Sequence, residues 1–171
     1  VSVRYVALKS SGFTTLEDLS GRSVSVARGT VNVSQINQAN RKQQLNLSVV
    51  PVETLQGAFD LVSEGRVAAF AMDDVLLSAM IAESDEPQAY VLSEEAITST
   101  EPLGFMMRLA DDAFAVEVNK ALEHIYTSPE MPLLYYQWFQ QPLPGKDITL
   151  DIPMSEVLAE HFTALRSMVS R

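Results

Sequence analysis

The 171 residues carry 22 Asp+Glu against 12 Lys+Arg, a formal net charge of −10, and 47% of them are hydrophobic with 20% charged. This is the composition of one ordinary globular domain or parts of two, and its sign opposes a general nucleic-acid or anionic-membrane role, since each needs a basic surface. With no cysteine in the chain, a disulfide framework, a thiol nucleophile and a cysteine-type zinc site are excluded.

In chain order, "VSVRYVALK" (1–9) is β-branched and aromatic and predicts a strand. "SSGFTTLEDLSGR" (10–22) is turn-rich, with Thr15 placed to cap a short helix over 16–19. "SVSVAR" (23–28) alternates polar and apolar residues as a strand does, and Gly29 and Thr30 stop it. "VNVSQINQANRKQQL" (31–45) predicts a polar, solvent-facing helix with Ile36 on its buried side, and "NLSVVPV" (46–52) a strand. "ETLQGAFDLVSEGR" (53–66) has Leu55, Phe59, Leu61 and Val62 at helical spacing, and Gly65 ends it. "VAAFAMD" (67–73) is a continuous apolar run, as expected of a strand buried on both faces. "DVLLSAMIAES" (74–84) predicts a helix, "AYVLSE" (89–94) a strand and "LGFMMRL" (103–109) another. Strand and helix thus alternate over 23–94, which implies an α/β fold with a mostly parallel sheet, helices on its faces and right-handed crossovers.

The character changes after Ala110. "DDAFAVEVNKALEHIYTS" (111–128) has an apolar stripe at Phe114, Val118, Leu122 and Ile125, "EMPLLYYQWFQ" (130–140) is aromatic-rich, and "QPLPGKD" (141–147) reads as a linker. "DIPMSEVLAEHFTALRSMVSR" (151–171) predicts a last amphipathic helix beginning near Pro153 or Ser155. No apolar stretch approaches the roughly 18 residues that span a bilayer. No charged segment with an apolar core opens the chain, so no signal peptide is expected within it. The first residue is Val1 rather than Met, which suggests that something upstream was removed.

In an open parallel sheet, ligands bind beyond the carboxyl ends of the strands. Two junctions there have suitable chemistry. In "ARGT" (27–30), Gly29 lets the backbone approach a ligand, and Thr30 can cap the following helix, whose free N–H groups form an anion site. In "AFAMDDVLL" (69–77), Asp73 and Asp74 stand where a strand gives way to a helix. A helix tip favours an anion and a fixed Asp favours a cation, so together they suit a zwitterion, with the α-carboxylate near Thr30 and the ammonium on Asp73. Each feature has a plainer reading. Gly-Thr before a helix is an ordinary turn and cap, and an Asp at a helix start is usually a cap worth about 0.5–2 kcal/mol. Only one of two acids is needed for capping, and Asp74 is the better placed. Arg28 is more often a solvated charge, or a partner for a nearby acid, than a ligand contact.

The remaining candidates are plain. His124 and His161 lie 37 positions apart on tail helices, without an acid cluster at metal spacing. There is no Gly-rich phosphate loop, no G-x-S-x-G and no H-E-x-x-H. No catalytic constellation, metal site or cofactor is expected.

"FTTLEDLSGRSVSVARGT" resembles the segment of extracytoplasmic solute-binding proteins that enters their second lobe and ends in its Gly-Thr ligand loop. "AFDLVSEGRVAAFAMDDVLLSAMIA" is similar to the later part of that lobe, in the glutamate/aspartate-binding branch of the polar amino-acid group. "EPLGFMMRLADDAFAVEVNKALEHIYTSPEMPLLYYQWFQQPLP" resembles the return strand, long helix and Trp-Phe helix of the first lobe. The resemblance implies a type II periplasmic-binding-protein-like clamp that closes on a polar, acidic amino acid. Residues 1–108 would be the second, ligand-binding lobe, with hinge crossings at about 4–8 and 103–108, and 109–171 the carboxy-terminal helices of the first. It implies that Asp73 binds the ammonium and that the loop of Arg28, Gly29, Thr30 and Val31 serves the carboxylate and an acidic side chain. The family often has a second Thr where this chain has Val31, so one hydroxyl donor is missing. The family's first-lobe sheet, with an Arg and a hydroxyl residue for the ligand, has no counterpart in the chain.

The resemblance further implies an ABC-type uptake permease as partner, a periplasmic or membrane-associated extracytoplasmic location, and no enzymatic activity. Tail helices without their own sheet would leave apolar stripes that pack on another copy (self-association), swap between chains, or belong to a longer parent of which this chain is a fragment lacking the amino-terminal part of the first lobe. The alternatives are a clamp domain of a membrane receptor, a dehydratase-like enzyme on the same fold, and an interaction domain without a small ligand.

Overall fold

The computed structural model describes residues 1–169. They form two compact units that divide between Leu103 and Gly104. The first unit is built on a sheet of β1 (Val3–Leu8), β2 (Ser23–Ala27), β3 (Ser48–Val52), β4 (Ala69–Asp73) and β5 (Tyr90–Leu92), in the order β3-β2-β4-β1-β5. β2 runs parallel to β3 and to β4, whereas β1 runs antiparallel to β4 and to β5. All but β1 therefore point the same way, and the fold is the expected α/β sheet flanked by helices.

The apolar run of β4 explains its central place. Side chains alternate across a strand, and here both faces are covered. Ala69 and Ala71 pack with Val24, Val26 and Ile36 on one face, while Phe70 and Met72 pack with Ala58, Phe59, Val62 and Leu77 on the other. A fully buried Phe70 contributes on the order of 2–3 kcal/mol by leaving water. The first face is covered by α1 (Asn32–Gln43), the second by α2 (Leu55–Ser63) and α3 (Asp74–Glu83). The β2–α1–β3 crossover moves outward and β3–α2–β4 returns past β2. Opposite travel on opposite faces gives both crossovers one hand.

Local signals set the ends. Thr54 accepts the Gly57 N–H at 3.0 Å as N-cap of α2, and Gly65 follows that helix at φ 67°. The short helix expected over 16–19 is a 3-10 turn at Glu17–Leu19, headed by Leu16 rather than by Thr15. There Asp18 Oδ2 accepts the N–H groups of Thr14 and Thr15, both at 2.8 Å.

The second unit consists of α4 (Asp112–Thr127), α5 (Glu130–Phe139) and α6 (Glu156–Val169). Phe162 of α6 is buried and stacks on Tyr126 of α4 at 5.8 Å. Its flank is apolar and open, with Leu133, Leu134 and Trp138 exposed.

The strand expected over 103–109 does not form. Leu103, Phe105, Met106 and Leu109 are 76%, 72%, 99% and 96% exposed. A strand needs a neighbour for its N–H and C=O groups. Among the described residues none pairs with this segment, so it supplies no hinge strand here.

Candidate functional site

β2 and β4 are parallel neighbours with Val26 opposite Ala71. Their carboxyl ends, at Ala27 and Asp73, therefore share one edge of the sheet. From there α1 departs to one face and α3 to the other. Diverging connections at adjacent parallel strands open a crevice at a sheet edge.

The two adjacent acids at the end of β4 have different surroundings. Asp74 is the first residue of α3. Its Oδ1 accepts the Val75 N–H at 2.9 Å and its Oδ2 accepts the Ser2 hydroxyl at 3.0 Å. Arg4 Nε lies 3.9 Å from the same Oδ2, and Arg4 Nη1 donates to Ser93 O at 2.7 Å. Asp74 thus ties the start of α3 to β1. It was expected to cap the helix, and it does so only through the N–H of its immediate neighbour, because the carboxylate is drawn to Ser2 and Arg4.

Asp73 occupies the N-cap position of α3 but makes no capping bond to it. Its Oδ1 accepts a hydrogen bond from Asn32 Nδ2 at 3.1 Å. Among the described residues it has no cationic partner. The side chain is half-buried, so a negative group is fixed at the edge by a neutral donor.

The loop after β2 is held tightly. Arg28 N–H donates to Val52 O at 2.7 Å, and Gly29 sits at φ 78°, where only glycine is free of strain. Thr30 does not cap α1. Its hydroxyl donates back to Ala27 O at 2.8 Å, because the turn at Gly29 returns the side chain onto the last carbonyl of β2. Val31, 67% exposed, is the N-cap residue, and no side chain caps the helix. The first N–H groups of α1, without partners earlier in the helix, form the electropositive tip instead. Arg28 Nη1 pairs with Glu53 Oε1 at 2.9 Å, both side chains largely in solvent at 62% and 74% exposure. That is the acid-partner reading of Arg28.

Asp73 and the first turn of α1 are therefore brought together, and the link between them is Asn32. Sequence reasoning passed over Asn32. A polar residue one place beyond Gly-Thr-Val resembles any solvated residue of a helix start, yet here it is buried to 1% exposure. A carboxylate and a helix tip at one edge complement the ammonium and the carboxylate of a free amino acid.

No protein-family model matches the chain. It is 32% identical over 158 residues to the L-glutamate/L-aspartate-binding protein of Pseudomonas aeruginosa, covering 92% of this chain and 52% of that protein. It is 25% identical over 162 residues to the glutamate/aspartate import solute-binding protein of Escherichia coli, covering 95% and 53%. The chain thus spans about half the length of the curated relatives it matches. Among solved structures, it aligns with an arginine transport system periplasmic binding protein from Legionella pneumophila. That alignment has a TM-score of 0.69 at 22% identity and covers 81% of this chain and 61% of that one.

Proposed function

We propose, from the premise that this chain is a relative of the glutamate/aspartate-binding solute-binding proteins in sequence and has the fold of periplasmic binding proteins, that it carries the ligand-gripping lobe of an amino-acid-binding protein. Asp73 takes the ligand ammonium, and the tip of α1 at Thr30, Val31 and Asn32 takes its carboxylate. Arg28 and the Gly29 turn border the same edge, and Arg28 favours an acidic side chain by leaving Glu53. The observation that carries the reading is Asp73 itself: a carboxylate fixed at the sheet edge by a neutral amide, beside an uncapped helix tip.

A carboxylate left unmatched in a closed crevice is costly. Compounds without an ammonium are therefore rejected. The reading requires no bond to be made or broken, so the chain acts by binding and not as an enzyme. The partner is an ABC-type membrane permease that reads the closed clamp, and the place of action is the periplasm.

Calorimetric titration of the intact protein with L-glutamate, L-aspartate and the other protein amino acids tests this. Binding of the acidic pair with a dissociation constant at or below about 1 μM, or about −8 kcal/mol, is the expected result. No heat with any amino acid would overturn the reading.

A further inference from the structure

We propose that Asn32 is the positioning residue for Asp73, aiming its carboxylate at the crevice while leaving its charge intact. The inference rests on the reading of Asp73 as the ammonium-binding group.

Asn32 stands first in α1 and is 1% exposed. Burying an amide is costly unless its hydrogen bonds are made. The Nδ2 group carries two hydrogens. One is donated to Asp73 Oδ1 at 3.1 Å, and the other faces Gln35 Oε1 at 3.4 Å, one helical turn further on. A carboxylate oxygen only accepts, so the contact fixes which end of the amide meets Asp73. Gln35 is held in turn, donating from Nε2 to Glu101 Oε1 at 3.1 Å, while the Glu101 N–H donates to Val1 O at 2.8 Å. The amide is therefore braced from the side away from the acid.

The chemistry of the donor matters. A Lys or Arg in place of Asn32 would aim Asp73 equally well but would form the ion pair that a ligand ammonium has to form. An amide orients one oxygen and leaves the net negative charge. Asp74, one residue on, shows the contrast, since both of its oxygens are engaged and a guanidinium lies 3.9 Å away. A carboxylate positioned by a neutral, buried donor retains its direction without losing its attraction for a cation.

Calorimetric titration of L-glutamate and L-aspartate into the intact protein, Asp73→Ala, Asn32→Leu and Asn32→Asp at pH 8 and pH 5, with ligand-free melting curves, tests the assignment. Asn32→Leu removes the donor at similar volume and should weaken binding roughly tenfold to a hundredfold, as expected for a hydrogen bond to a charged group. Asn32→Asp should bind poorly at pH 8, where the introduced carboxylate repels Asp73 and donates nothing. It should recover at pH 5, where two adjacent carboxyls share a proton and a donor returns. The unmodified protein should show no such gain in acid. Asn32→Leu within twofold of the unmodified protein, while Asp73→Ala abolishes binding, would overturn the assignment and leave the proposed function standing. Loss of affinity in step with loss of melting temperature, without recovery of Asn32→Asp in acid, would make Asn32 merely structural. Absence of binding by the unmodified protein would overturn the proposed function and this assignment with it.

Discussion

Ser2 Oγ donates to Asp74 Oδ2 at 3.0 Å across 72 residues of sequence, and this contact assigns the two adjacent acids different duties. It ties the edge of β1 to the first turn of α3. Asp73, one residue earlier, takes no part in it and accepts a hydrogen bond from Asn32 instead. One acid secures the fold at the end of β4, and its neighbour has no cationic partner among the described residues.

Asp73→Ala should abolish binding of acidic amino acids and barely alter stability. The side chain makes one part-buried hydrogen bond, from a neutral donor to a charged acceptor, worth about 1.5 kcal/mol. The melting temperature of the ligand-free protein should fall by no more than a few degrees. Calorimetry and a thermal melt on one preparation check both halves.

Asp74→Ala should behave in the opposite way. It strips partners from Ser2 and Val75 and leaves Arg4 without its nearby carboxylate. Hydrogen bonds of this kind to a charged group, partly open to solvent, place the cost at about 1–3 kcal/mol. Urea denaturation should show a lower midpoint with an unchanged slope, and affinity should move little.

Arg28→Ala should leave stability within about 0.5 kcal/mol, because an ion pair this exposed is screened and entropically costly. Preference for L-glutamate and L-aspartate over L-glutamine and L-asparagine should diminish, which competition binding measures.

The pH dependence has two calculable limbs. Asp18 is held down to about 2 by the backbone N–H groups of Thr15 and Thr14, from the usual 3.8. Its folded-state value lies below the unfolded one. Its contribution is therefore fully present above about pH 4 and is lost as pH falls through about 2. Tyr5 is pushed up to about 12 from 10.0, first by burial and then by the charges of Asp18 and Glu95. It contributes fully below about pH 10 and its contribution is lost as pH rises to about 12. Asp18→Asn should flatten the acid limb of a stability–pH curve, and Tyr5→Phe the alkaline limb.

Much of the first unit is legible in the chain. The apolar run ending in Asp-Asp is a central strand because residues 69–72 meet packed helices on both faces. The Gly29 turn and the Gly65 stop follow from chemistry within a few residues. What local reading misses depends on distant partners. The direction of β1 is set by its pairing with β4 and β5, which periodicity does not encode. The run at 103–109 has the apolar character of a strand but no neighbour among the described residues to hydrogen-bond it. Thr30 looks like a cap until the turn before it sends its hydroxyl to Ala27. Asn32 is unremarkable until the fold brings it to a residue 41 positions away.

The most direct measurement is a crystal structure of the intact protein with L-glutamate or L-aspartate bound. The expected result is a ligand ammonium about 2.8 Å from the Asp73 carboxylate, the distance of a charge-assisted hydrogen bond, with the ligand carboxylate on the N–H groups at the start of α1. An amino acid bound with its ammonium elsewhere, and Asp73 still joined to Asn32 alone, would contradict the account.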